Sequence, residues 1–329
     1  MSISLAIVLL IVLAAEFTNG LTDAPNAIAT VVATRVLSPF RAVVMAALLN
    51  VAGVLVTGTA VAFTIGKDIV KPEVIGLHTV GAAVLTVVIW STVTWRFGLP
   101  TSETHELVAG LAGAGLATAG PSVLLWQGWQ KVLIGLGFST LLGFFGGITV
   151  MVAIYWLFHR ANRAFVNPLF RRLQILSAAF MAFSHGSNDG QKFMGTFSLA
   201  LFLGGVLPQF QVPLWVVLIC ALVMGIGTML GGWRIMKTMG FGVTQLEPIN
   251  GFAAESSASV AILWASFLGI PVSTTHVINT AIMGVGAARR FSAVRWGVTG
   301  QIVLTWLITF PVCGVLGFLF AWALQPILG

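Results

Sequence analysis

The sequence predicts an all-α polytopic membrane protein made of two inverted-topology repeats of about five crossings each, with broken helices and polar loops at the midplane. Three observations carry this: an extreme apolar composition, a lopsided distribution of basic residues, and two duplicated polar motifs. Hydrophobic residues make up 58% of the 329 and charged residues 8%, for a mean hydropathy of +1.01. A soluble fold of this length has too little interior to hide that much apolar surface, so the lipid bilayer is the expected partner. The net charge of +7 reads as loop charge that orients helices. Without aromatic-interleaved basic runs, no nucleic acid is expected to bind.

A bilayer crossing needs about 20 apolar residues. Such runs stand at 3–34, 41–65, 74–95, 98–118, 131–158, 173–207, 212–233, 249–268, 271–288 and 296–326. The first, whose Ile3 to Ala15 lacks a basic leader and runs into Glu16, reads as a mature helix and not a signal peptide. The first and sixth runs are too long for one simple crossing and contain polar interruptions, so each is expected to be a broken helix. With the N-terminus outside and one crossing per run, the cytoplasm receives Arg35, Arg41, Arg96, Arg160, Arg163, Arg171, Arg172, Arg234, Lys237, Arg289, Arg290 and Arg295. Outside stand only Lys67, Lys71 and Lys131, and Lys192 remains within the membrane. Twelve against three is the asymmetry that the positive-inside rule demands. The chain divides into a first membrane repeat at 1–158, a short basic cytoplasmic loop at 159–172 and a second repeat at 173–329.

The repeats are visible in the chain itself. FTNGLTDAPNAIAT, from Phe17, pairs with FSHGSNDGQKFMGT, from Phe183, so that Gly20 meets Gly186 and Asp23 meets Asp189. LPTSETHELV, from Leu99, pairs with IPVSTTHVIN, from Ile270, aligning Pro100, Ser102, Thr104 and His105 with Pro271, Ser273, Thr275 and His276. Loop 35–41 is basic where its counterpart at 208–213 is uncharged, and the 67–73 loop is balanced where its counterpart carries Arg234 and Lys237. Halves with opposite charge bias run in opposite senses, the arrangement of secondary transporters.

Within hydrocarbon, an irregular backbone survives only beside protein or a wet cavity. The Gly20 and Pro25 stretch is therefore expected to break its helix and free carbonyls for a cation. Asp23 and Asp189, ionisable at membrane depth, are candidates for the coupling ion, together with Asn26 and Glu255. In the second motif pair, proline followed by Ser102, Thr104, Ser273, Thr274 and Thr275 offers neutral donors at helix starts, which suit an oxyanion such as phosphate. His105 and His276 are expected to hydrogen-bond structurally, and His78 and His159 to lie near segment ends. Without HExxH or a clustered ligand set, no metal site is expected. Cys220 and Cys313 read as packed membrane residues.

Together, APNAIAT after an aspartate, HGSND, GIPVSTTH and GFAAE resemble the inorganic phosphate transporter (PiT) family over essentially the whole chain, without the long central loop of some members. The resemblance implies a phosphate symporter coupled to sodium or protons, with Asp23, Asn26, Asn188 and Asp189 lining the phosphate and cation sites and the five hydroxyls forming phosphate loops. Three positions depart from the pattern: Thr22 for asparagine, Lys192 opposite Asn26, and Glu103 opposite Thr274. Lys192 joins the substrate-binding candidates, because its ammonium can bind phosphate or replace a cation.

The expected protein is thus a cell-membrane carrier that takes up inorganic phosphate with a coupling cation, proton or sodium, and needs no other cofactor. Homo-oligomerisation stays open. A sulfate or other oxyanion permease of the same fold and a passive anion channel are the alternatives. An enzyme is not expected, for want of a nucleophile or metal set, and no GxxxxGK[ST] motif supports pumping by ATP. The charge map makes a first prediction: a cysteine replacing Asp68 is labelled from outside intact cells, and one replacing Asn162 is not. Labelling at position 162 alone overturns the orientation.

Overall fold

The computed structural model describes residues 2–328 and is helical, with one isolated β-bridge, Val70 to Leu124, among the described residues. The first half comprises α1 (Ile3–Ala33), α2 (Pro39–Val56), the short α3 (Ala60–Phe63) continued by a π-type turn Thr64–Asp68, α4 (Leu77–Phe97), α5 (Glu103–Ala119) and α6 (Trp126–Phe158). The second half repeats that order. It comprises α7 (Arg163–Leu203), α8 (Leu214–Met229), α9 (Trp233–Lys237) with its π-type turn Thr238–Gly242, α10 (Pro248–Phe267), α11 (Thr274–Arg289) and α12 (Trp296–Leu328).

Two large apolar cores are separated by a polar layer. One core holds Leu5 to Ala15 of α1, the other Ala27 to Val31. Between them α1 buries Glu16, Asn19, Thr22, Asp23 and Asn26. Helix α7 meets the same cores in reverse: Phe170 to Ala182 pack in the second, Phe193 to Leu201 in the first, with His185 to Lys192 between. α6 and α12 are opposed in the same way, with Val132 and Leu328 in the first core and Met151 and Ile302 in the second.

Several expectations change here. α1 and α7 are unbroken, although Pro25 lies inside α1. Proline leaves only the Leu21 carbonyl without its helical donor, and Gly232 packs against that carbonyl and the proline ring. Gly20 and Gly186 do not break helices either. They admit the backbones of α8 at Gly227 and of α2 at Asn50, where a Cβ would overlap main-chain atoms, the small-residue packing that membrane helices use. The breaks fall instead in the second and seventh runs, between α2 and α3 and between α8 and α9, the latter a bend of 59°. The one carbonyl freed near Asp23, that of Leu21, is covered by Gly232, so the site is built from side chains. The basic loop expected over 159–172 narrows to residues 159–162, because Asn162 Oδ1 accepts from Ala164 N and starts α7 there.

Nor do all ten runs cross. Six segments connect the two cores, namely α1, α2 with α3, α6, α7, α8 with α9, and α12. Of the two large cores, α4 and α5 bury residues only in the first, with Ala82 and Ala114 in a small third cluster against Ala321 of α12, and α10 and α11 only in the second, so each pair is a hairpin returning to its own face. Five crossings per half become three plus one hairpin. The tips lie deep: Pro271 abuts Gly135, nine residues into α6, and Trp306 Nε1, ten residues into α12, donates to the Pro100 carbonyl at 2.9 Å. At 1.5 Å per residue these depths are about 14–15 Å, half of a core of about 30 Å. Polar tips at that depth need polar partners, which the layer supplies.

Each tip turns at a glycine with positive φ, Gly98 at 70° and Gly269 at 65°, a left-handed geometry that glycine adopts freely. A threonine from the π-type turn of the opposite half holds each one. Thr64 Oγ1 donates to the Gly269 carbonyl at 2.8 Å, and Thr238 Oγ1 to the Gly98 carbonyl at 2.7 Å. Lys131 reinforces the first through Thr64 and Asp68. Arg234 reinforces the second by donating to the Arg96 carbonyl and lying over the Trp95 ring. Helix packing through missing side chains has a direct test. Gly186→Val forces α7 off α2 and is expected to cost about 1–3 kcal/mol, read as a lower thermal midpoint in detergent; an unchanged midpoint refutes the close approach.

Candidate functional site

The polar stretches of α1 and α7 face each other, and both hairpin tips reach them. Asp189 is the most heavily partnered acid. Lys192 Nζ, one turn on, lies 2.5 Å from its Oδ1, Thr274 Oγ1 donates to Oδ2 at 2.8 Å, and His185 Nε2 lies 3.2 Å from Oδ2, within ion-pair reach though off the line of a hydrogen bond. His185 is oriented from α2. Asn50 Nδ2 donates to Thr228 Oγ1, whose own proton goes to the Met224 carbonyl, so Asn50 Oδ1 faces His185 Nδ1 at 3.1 Å and the imidazole proton sits there. The remaining nitrogen attracts Asp189 only with a further proton between them.

Asp23 has no ammonium. Thr275 Oγ1 stands 3.5 Å from both its oxygens, and Asn26 Nδ2 donates to Thr275 Oγ1 at 2.9 Å and to Thr274 Oγ1 at 3.4 Å. Asn26 Oδ1 is buried without a hydrogen-bond partner among the described residues. Ligand atoms of Asp23, His185 and Asp189 lie within 4.8 Å of one another, a set able to hold a cation. Sequence spacing hid this group, since Asp23 stands 162 residues from His185.

The five expected hydroxyls divide. Thr274 and Thr275 face the carboxylates, as above. Ser102 and Ser273 cap α5 and α11 by accepting from His105 N at 3.4 Å and His276 N at 3.1 Å, which leaves their own protons to give. Thr104 donates to the Val272 carbonyl at 2.8 Å, joining one tip to the other. Asn188 also holds a tip: its amide donates to Ser266 Oγ and the Ile270 carbonyl and accepts from Val272 N. Glu103 turns to Thr22 Oγ1, 2.6 Å away, and to Ser91, which also donates to Glu106.

His105 and His276 do not hydrogen-bond through their rings among the described residues, contrary to expectation. Their rings lie tilted against each other, with centroids 4.5 Å apart, and His276 stacks on Trp306 at 3.7 Å. His78, buried at the start of α4, meets Thr118 at 3.3 Å, and His159 lies exposed at the end of α6.

A sequence profile described as the phosphate transporter family matches residues 19–317. The chain belongs to the phosphate transporter family. A "probable low-affinity inorganic phosphate transporter" of Rhizobium meliloti (strain 1021) is 45% identical over 305 residues, 92% of this chain and 91% of the relative. One of the same description from Bacillus subtilis (strain 168) is 40% identical over 323 residues, 96% and 97% of the two chains. Among solved structures, "the sodium-dependent phosphate transporter" superposes with a TM-score of 0.91 at 25% identity, covering 99% of this chain and all of that one. This phosphate transporter is accordingly a multi-pass protein of the cell membrane, and not an enzyme.

Glu255 of the transporter stands apart from the other candidates. Thr30 and Gln174 donate to its Oε1 and Ser177 to its Oε2, and none of the remaining site residues touches it. Glu103 and Glu106 carry a signal the sequence did offer, acids in the first turn of a helix that dips to mid-membrane; Ser91, inside α4, carried none. Between the cores, Glu16, Asp23, Asp189, Glu103 and Glu106 oppose the one ammonium of Lys192 among the described residues, and charges so far from water must be balanced by protons, cations or the imidazole of His185. Removing that ammonium by Lys192→Met leaves Asp189 uncompensated and should cost about 3–5 kcal/mol of stability. Adding Asp189→Asn should recover much of the loss. Thermal unfolding without sodium reads both, and a silent Lys192→Met contradicts the pairing.

Proposed function

We propose that this chain is a symporter that moves inorganic phosphate inward with a cation, its halves 1–158 and 173–329 rocking about the polar layer as inverted repeats. One observation carries the coupling: hydroxyls suited to bind the anion are hydrogen-bonded to carboxylates suited to take the cation, Thr274 to Asp189 and Thr275 to Asp23. A hydroxyl has one proton. When phosphate recruits it, the aspartate loses that donor and gains a negative neighbour, so phosphate binding is favourable only together with a proton or cation at the aspartate. By reciprocity, the cation raises phosphate affinity.

The name of the similar solved structure favours sodium, whereas Lys192 favours the proton. Its ammonium already supplies Asp189 with positive charge, so sodium there gains less and is repelled. Asp23, without a lysine, is the acid we assign to protonation. Ser102 and Ser273 supply further donors from the capped starts of α5 and α11, where the helix dipole also attracts an anion.

Phosphate uptake into proteoliposomes under separate proton and sodium gradients tests this. Asp23→Asn should abolish accumulation and leave phosphate exchange, and Lys192→Asn should raise sodium stimulation. Ser273→Ala or Thr275→Val should weaken phosphate by about 1.5–3 kcal/mol, one to two decades. Wild-type affinity in both hydroxyl variants removes the anion site, and strict sodium dependence lost in Lys192→Asn reverses the role given to lysine.

A further inference from the structure

A cavity of about 210 Å³ lies away from the polar layer, where α11 ends and α12 begins. Arg289, Arg290 and Arg295 line it together with Thr244, Gln245 and Ser292. Three arginines thus border it, with one carboxylate nearby. Glu247 reaches only Arg289, at 3.9 Å between exposed side chains. Arg290 makes no side-chain hydrogen bond or ion pair among the described residues, and Arg295 spends one nitrogen on the Phe241 carbonyl at 3.0 Å. The rim is fixed: Phe291 stacks on Trp296 with centroids 4.3 Å apart, and Trp296 Nε1 donates to the Phe291 carbonyl.

The first half lacks this feature. Matching the short turns Pro121–Val123 and Phe291–Ala293 places Ala119, Gly120 and Leu125 opposite the three arginines. The positive-inside rule accounts for arginines on this face. It does not account for their lining one cavity together with hydroxyl and amide donors, with a single carboxylate, Glu247, in reach of one of them. Guanidiniums present paired donors that match tetrahedral oxyanions. The volume lies below the roughly 300–1,000 Å³ of drug-sized pockets, which suits a phosphate group.

We propose that this cavity binds a phosphate group on the cytoplasmic face, separately from the transport site, either as inorganic phosphate or as the phosphate of an anionic lipid headgroup. Its cytoplasmic placement rests on the orientation proposed above; the binding itself does not. Inorganic phosphate there would report the cargo after delivery, and a lipid would anchor the hairpin α10–α11 to the leaflet.

The experiment has two arms, each on wild type, Arg289→Gln/Arg290→Gln and Ser292→Glu. The last places a carboxylate at an exposed position and leaves all three arginines intact, so it separates lost binding from misfolding. In the first arm, equilibrium binding of radiolabelled orthophosphate to protein in neutral detergent should resolve two classes of site in wild type. Both variants should weaken one class at least tenfold while the KM for uptake is unchanged, and Ser273→Ala/Thr275→Val should weaken the other. In the second arm, native mass spectrometry should show phosphatidylglycerol, and not phosphatidylcholine, retained by wild type and lost from both variants. Loss in the first arm identifies free phosphate as the occupant, and loss in the second identifies lipid. Binding of both probes unchanged in both variants overturns the proposal, whatever becomes of the central site.

Discussion

A charge placed between two apolar layers has no water to fall back on, and the protein around Asp189 is organised by that constraint. Lys192 and His185 come from its own helix and Thr274 from the facing hairpin, while Asn50 of α2 reaches across to orient the imidazole. Such a cluster forms only if the helices carrying it approach closely, which explains why the glycines beside the charges face neighbouring backbones. It also needs the hairpin tips at mid-depth, where their hydroxyls find acceptors in place of water. The long uninterrupted helices, the small-residue contacts and the re-entrant hairpins thus answer one requirement.

Asp23 shows how the duplication has been put to asymmetric use. It occupies the same register as Asp189 and meets the same hairpin, through Thr275 beside Asp189's partner Thr274, yet has Asn26 where Asp189 has Lys192. One copy has its counter-charge built in; the other must find one. A symmetric pair of ion sites would need two cations from solution. Here the second half carries one permanently, and the deficit is concentrated on the first half, beside Glu103 and Glu106.

Much of this was legible in the chain. The paired motifs, from Phe17 and Phe183 and from Leu99 and Ile270, marked most of the polar layer. Three things were not. Gly20 and Pro25 looked like a break, because a sequence cannot distinguish a glycine that loosens a helix from one that admits a neighbour. The runs that hold α4, α5, α10 and α11 look like crossings in the sequence, yet of the four helices only α4 is long and apolar enough to span, and the large core that each pair packs in shows that they turn back. Contacts such as Thr22 with Glu103, 81 residues apart, or the gathering of Asp23 with His185, depend on tertiary approach and leave no local periodicity. His105 and His276 were misjudged for a related reason: their partners are each other and Trp306, from three separate helices.

The threonines that hold the two tips form the same hydrogen bond to the same kind of glycine carbonyl, so any preference between the ends comes from what stands behind them. At Gly269 the support is Lys131 with Asp68, an ion pair whose side chains are 42% and 34% exposed. At Gly98 it is Arg234, held by a carbonyl and an aromatic face. Dissolved salt weakens the first kind of contact, since the Debye length shrinks to about 10 Å at 0.1 M, whereas a hydrogen bond and a ring contact feel it far less. Ionic strength thus acts on the two ends unequally, and a rise in it loosens the grip on Gly269 while leaving that on Gly98 nearly as it was.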